Sequence, residues 1–148
     1  MDSQEKRAAH IIENLRAHGH KLTPQRLAIV NILSRDGGHY SVEDIHEEIK
    51  VQFPTMSLAT VYRNIVLLKS LGEVLELGFP DGSNRYDGHR PYPHPHVICI
   101  KCRKIVDPDL DSLDKMKEEV SAETDFTILN HRLDFFGICS NCMAQERS

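Results

Sequence analysis

The chain has 148 residues, of which 40% are hydrophobic, with a formal net charge of -4 and a mean hydropathy of -0.40. No apolar run reaches the ~18 residues of a membrane span, and the polar start MDSQEKRAAHIIENL lacks the apolar centre of a secretory signal. The expectation is a cytoplasmic protein with no membrane partner, whose four cysteines serve metal ligation better than disulfides.

The first half reads as helices. Residues 4–18 carry Ala8, Ile11, Ile12 and Leu15 at helical spacing. In LTPQRLAIVNIL, Thr23 caps a second helix with Pro24 at its first position, and Gly37 and Gly38 are expected to stop it. Ser41 and Asp44 form a capping box for a third helix holding Val42, Ile45 and Ile49. Ser57 caps a fourth, SLATVYRNIVLLKSLG, whose buried stripe is expected to be Leu58, Val61, Ile65 and Leu68, with Gly72 just past its end. EVLELGF and SNRYD then read as two strands joined by a Pro-Asp-Gly turn. Four helices and a hairpin give the order of a winged helix-turn-helix. The acidic total argues against a broad nucleic-acid footprint. However, His18–Arg35 contains Lys21, Arg26 and Arg35 and no acid, and Ser57–Gly72 contains Arg63 and Lys69 and no acid.

GHRPYP, residues 88–93, reads as a hinge that divides a domain over 1–87 from one over 94–148. In the second half, HVICI and KIVDP are strands around a cysteine knuckle. Leu113, Met116 and Val120 mark a helix over 110–122, and FTILNHRLDFFGIC is one long strand. The fold class is α+β.

PHPHVICIKC places two histidines and two cysteines in one stretch. In an extended chain side chains alternate faces, so His94 and His96 share one face and Cys99 the other. Two sites are therefore implied. Cys99 and Cys102, with the second CxxC pair Cys139 and Cys142, supply four thiolates for a closed tetrahedral Zn²⁺ with a structural role. The other site draws on His94, His96 and nearby oxygen donors such as Asp87 and Asp107. Such a mixed nitrogen and oxygen set suits Fe²⁺, Mn²⁺ or Zn²⁺. Pattern alone leaves His39, in GGHYS, unassigned.

Taken together, LTPQRLAIVNIL, SLATVYRNIVLLKSLG, SNRYD, PHPHVICIKCRKIVD and NHRLDFFGICSNC resemble the Fur family of metal-dependent bacterial repressors, from about residue 10 to residue 142. The resemblance implies a homodimer, with an N-terminal winged helix-turn-helix DNA-binding domain and a C-terminal α/β dimerisation domain. It implies structural zinc on the four cysteines, and a regulatory Fe²⁺ or Mn²⁺ on His39, Asp87, His94, His96 and Asp107. Aspartate at both 87 and 107 resembles the peroxide-sensing sub-type, whereas iron-uptake repressors commonly have glutamate there. In the peroxide sensors bound Fe²⁺ reacts with hydrogen peroxide, a ligand histidine is oxidised and repression of oxidative-stress genes lifts. By position the targets here are His39 and His94.

Two features depart from the family pattern. Pro93 and Pro95 stand where many iron regulators carry ligands of a further site, leaving only His131. Arg63 is the residue typical of iron regulators, where peroxide sensors have asparagine. For an inverted-repeat operator in double-stranded DNA, Tyr62 and Arg63 are the candidates for base edges. Ser57, Thr60 and Lys21 are the candidates for phosphates. The alternative within the family is an iron-responsive repressor of iron-acquisition genes. A non-haem iron enzyme could use two histidines and a carboxylate, but it would need a strand-rich barrel and no winged helix. A zinc-storage or zinc-ribbon protein would not need the TVYRN helix.

Overall fold

The computed structural model describes residues 2–147; Met1 and Ser148, the outer ends of the two expected domains, lie outside the described residues. The chain divides into two compact units, Met1–Tyr92 and Pro93–Ser148.

The first unit opens with helix α1, Ser3–Ala17. Its start is a reciprocal box absent from the sequence expectation: Asp2 accepts from the Glu5 amide at 2.8 Å and Glu5 accepts from the Asp2 amide at 3.2 Å. Helix α2, Pro24–Leu33, is capped by Thr23. It ends ahead of the glycine pair expected to stop it, where the Ser34 hydroxyl donates to the Val30 carbonyl at 2.7 Å. Helix α3, Val42–Ile49, begins at the Ser41–Asp44 box. Helix α4, Leu58–Ser70, begins at Ser57 and closes on Gly72, whose φ of 75° is the left-handed value that favours glycine.

These helices pool their apolar faces into one core holding Ile11, Leu15, Ile29, Leu33, Ile45, Val61, Ile65 and Leu68. Each such side chain contributes about 1.5–3 kcal/mol by leaving water. Leu58 does not join them: at the first position of α4 it stays 41% exposed, so the buried stripe is one turn shorter than its spacing suggests.

Strands β1, Leu75–Leu77, and β2, Arg85–Asp87, form the antiparallel hairpin. Tyr40 and Tyr86 exchange both backbone hydrogen bonds, at 3.1 and 2.7 Å, which fastens the hairpin to the loop before α3. Four helices and this pinned hairpin make the winged-helix unit.

In the second unit, β3 (His96–Cys99) lies between β4 (Ile105–Val106) and β5 (Asp134–Gly137). Its pairing with β4 is antiparallel and with β5 parallel. A parallel neighbour needs a long crossover, and helix α5, Leu113–Thr124, supplies it. The long strand expected over 126–139 is confined to the four residues of β5, because only they find a partner on β3. Helix α6, Ser140–Arg147, which begins just after Cys139 and holds Cys142, is an addition to the sequence expectation.

This unit buries little. Among its described residues Pro95, Ile98 and Cys99 are the buried apolar ones, while Phe135, Phe136, Val106, Met116 and Val120 remain exposed. A segment this short cannot build a large core alone, and a metal staple or a partner surface is the usual remedy.

Candidate metal centres and nucleic-acid face

The four cysteines all lie in the second unit. Cys99 ends β3, Cys102 follows in the turn, Cys139 precedes α6 and Cys142 lies in its first turn. Their sulfur atoms all lie within 4.8 Å of one another. Cys99 Sγ is 3.8 Å from Cys142 Sγ, and Cys102 Sγ is 3.8 Å from Cys139 Sγ. Those gaps are far too long for disulfides. They do match a tetrahedron: sulfurs ~2.3 Å from a common zinc stand ~3.8 Å apart along each edge. The amide N–H of Cys102, then that of Cys139, holds the Cys99 thiol down at about 6, so a thiolate is available at neutral pH. Cys142 is pushed up to about 12, chiefly by the neighbouring Cys139 side chain. Four sulfurs this close, one with its thiol pKa lowered, form a donor set that suits a divalent cation.

A second cluster in the same unit contains no sulfur. The β3–β4 register pairs Val97 with Val106; one step further it sets His96 opposite Asp107. His96 Nε2 is 3.6 Å and His94 Nε2 is 3.4 Å from Asp107 Oδ1, and the two rings meet tilted by 51° with centroids 4.4 Å apart. Donors ~2.1 Å from one tetrahedral ion stand ~3.4 Å apart; the His94 distance equals that and the His96 distance exceeds it slightly, so these atoms converge as candidate ligands of a single ion. Both histidines are buried. Two imidazoles and a carboxylate are a donor set for Fe²⁺ or Mn²⁺.

In the first unit, His39 and Asp87 are brought together by backbone pairing. The Tyr40–Tyr86 bridge is antiparallel, so the residues beside it, 39 and 87, face each other. His39 Nε2 is 3.7 Å from Asp87 Oδ2. The other oxygen, Oδ1, accepts from the amides of His89 and Arg90 at 2.8 and 3.0 Å, which fixes the carboxylate. Gly88 is required here. A Cβ at that position would lie 2.7 Å from the Leu33 carbonyl oxygen, the group to which the Gly88 amide donates at 3.1 Å. His131, in the second unit, is absent from the donors grouped among the described residues. It lines a cavity of about 220 Å³ with Met116, Val120 and Leu133, and burial, then Lys117, lowers its pKa.

The expected DNA residues share the winged-helix unit. Tyr62 and Arg63 project from α4, both exposed, and Lys21 and Ser57 are exposed as well, with Thr60 half-buried. Thr60 Oγ1 lies 3.0 Å from Ser57 Oγ and accepts from Arg63 Nη2 at 3.1 Å, so three of the five belong to one hydrogen-bonded group at the start of α4. Sequence reasoning missed Arg26. It donates to Asn64 Oδ1 at 2.8 Å and to the Lys21 carbonyl at 2.6 Å, tying the segment before α2 to α4. Only its lack of a nearby acid in sequence hinted at such a role. No helix among the described residues is long and apolar enough to cross a membrane.

Comparison with known proteins agrees with this arrangement. The family model described as the ferric uptake regulator family matches residues 17–136. The peroxide-responsive repressor PerR of Staphylococcus epidermidis is 37% identical over 131 residues, spanning 88% of this chain and 87% of that protein. Among solved structures, the ferric uptake regulator Fur of Helicobacter pylori superposes with a TM-score of 0.81 at 25% identity, covering 96% of this chain and 95% of that one. PerR from Streptococcus pyogenes superposes with a TM-score of 0.52 at 29% identity, over 96% and 94% of the two chains.

Proposed function

The chain belongs to the ferric uptake regulator family, and we propose that it is a cytoplasmic, homodimeric, metal-dependent repressor of the peroxide-responsive kind, acting on oxidative-stress genes. The observation that carries this is the sulfur-free cluster of His94, His96 and Asp107, held apart from a separate cysteine quartet. One set of donors suits a permanent structural zinc and the other an exchangeable Fe²⁺ or Mn²⁺.

In this reading His39 and Asp87 of the first unit complete the regulatory set with His94, His96 and Asp107 of the second. Residues 88–93 are the hinge. Gly88 and His89 bond back to Leu33 and Ser34, so bending falls in the remainder. A metal that binds one arrangement of the units better than another shifts the population toward it by that difference in affinity. The favoured arrangement offers the two α4 helices of a dimer to successive major grooves of an inverted repeat. Tyr62 and Arg63 then meet base edges, and Ser57, Thr60 and Lys21 meet phosphates. The exposed side chains of Val106, Phe135 and Phe136 support self-association through the second unit.

Fe²⁺ held by this set would supply the redox chemistry that activates hydrogen peroxide, with the peroxide as the net two-electron oxidant of the ligand histidine. The chain's part is to hold His39 and His94 beside the ion as the residues oxidised, and to lose affinity for the operator once a ligand is spent. Aspartate at both 87 and 107, together with the PerR relative, supports peroxide sensing over iron sensing; Arg63 supports an operator preference closer to the iron regulators.

The test is a gel-shift titration on an inverted-repeat operator with zinc-only, Mn²⁺-loaded and Fe²⁺-loaded protein, each with and without a low dose of hydrogen peroxide. Release of the Fe²⁺ form alone, with one oxygen atom gained on a His39 or His94 peptide, is the expected result. Retention of DNA by both metal forms would make the protein an iron- or manganese-level repressor.

A further inference from the structure

Asp134 has no part in the ligand set above, yet the sheet places it against one of that set's members. The β3–β5 register pairs His96 directly with Asp134. The β3–β4 register, one step past Val97–Val106, sets Asp107 on the other side. His96 therefore stands between two carboxylates on neighbouring strands. Its Nε2 faces Asp107 Oδ1 at 3.6 Å, and its Nδ1 faces Asp134 Oδ1 at 3.5 Å. The His96 side chain is buried, at 3% exposure, and the Asp134 side chain is largely covered, at 9%. Asp134's second oxygen accepts from Arg132 Nε at 2.6 Å, which fixes the carboxylate's rotation.

We propose that Asp134 is a positioning residue for the regulatory metal, selecting the His96 tautomer that carries its proton on Nδ1 and leaves the Nε2 lone pair for the ion. The two ring nitrogens of an imidazole point in diverging directions, so Asp134 cannot bind the ion that His96 Nε2 faces. It acts through the ring. A carboxylate beside Nδ1 favours a proton there, sets the ring's rotation and strengthens the opposite nitrogen as a donor. Arg132, more than half exposed, keeps the carboxylate from turning toward the ion itself.

This inference rests on His94, His96 and Asp107 being ligands, and the experiment separates the two. Full-length zinc-loaded protein is titrated with Mn²⁺, with free Mn²⁺ followed by its electron paramagnetic resonance signal, for wild type, Asp134→Asn and His96→Ala. Asp134→Asn should weaken Mn²⁺ binding by about tenfold, the low end for loss of such a partner and fitting a 3.5 Å contact, with zinc content unchanged. In parallel, long-range nitrogen-15 NMR of wild-type zinc-only protein should show His96 protonated on Nδ1. That second measurement decides the matter even if the variant fails to fold. Asp134→Asn binding within about threefold of wild type while His96→Ala loses Mn²⁺, or a His96 proton found on Nε2, overturns the positioning role and leaves the ligand assignment standing. A His96→Ala protein that binds Mn²⁺ like wild type overturns both.

Discussion

Replacing Glu73 with alanine should cost about 3 kcal/mol of stability, and the reason is a network no sequence pattern announces. The Glu73 and Arg7 side chains are 6% and 13% exposed. Arg7 Nη2 donates to Glu73 Oε2 at 2.5 Å and to the Glu73 carbonyl at 3.0 Å, and Arg7 Nε donates to the Gly88 carbonyl at 2.6 Å. Asn14 Nδ2 donates to the other carboxylate oxygen at 2.7 Å, and His10 Nε2 lies 3.3 Å from it. Removing one partner of a buried ion pair costs about 3–5 kcal/mol, because the other charge is left without compensation. Here the guanidinium keeps two carbonyl acceptors, which puts Glu73→Ala near the lower figure. Arg7→Ala should cost at least as much, since it strips both carbonyls as well as the carboxylate. The assay is urea unfolding of zinc-loaded protein followed by helical circular dichroism, for wild type, both single variants and the double. The single losses should overlap by about 2 kcal/mol in the double, as residues in one network do. A Glu73→Ala loss below about 1 kcal/mol, or full additivity, would refute the network as a source of stability.

Cys102→Ser removes the most exposed sulfur of the quartet, so its first effect is on zinc and not on packing. Zinc per chain should fall, and limited proteolysis should cut within 93–148 before the winged-helix unit; wild-type protease resistance would count against a structural metal. Arg63→Ala should relax operator preference, at about 1–3 kcal/mol for the base pair it reads, and an unchanged profile in a binding selection would dismiss that role. Tyr86 is buried, and burial first, then Glu76, raises its hydroxyl from 10.0 to about 12. The folded state therefore holds that proton longer than the unfolded one. Its contribution is whole below pH 10.0 and is lost as the pH rises toward about 12. Wild type should lose stability across that window and Tyr86→Phe should lose less; equal alkaline profiles would show that another group sets the limit.

Local chemistry was legible in the chain itself. Thr23, Ser41 and Ser57 start helices because a short side-chain oxygen satisfies the first free amides, and Gly72 ends one because its φ is positive. The CxxC spacing brings paired thiolates to one turn, so the cysteine quartet could be read without coordinates. The histidine pair, with Asp87 and Asp107 nearby, was legible as a second donor set, and the resemblance to a family added His39. Tertiary structure decided whatever depends on strand register. It sets residue 39 opposite 87 through the Tyr40–Tyr86 bridge and shrinks the expected strand over 126–139 to Asp134–Gly137. It also places Asp134 beside His96, far away in sequence. A side chain's own neighbours in sequence govern caps, turns and periodicity. Which carboxylate meets which ring nitrogen is fixed only when distant backbones pair, and a shift of one residue in that pairing would turn the carboxylate to the other face of the sheet.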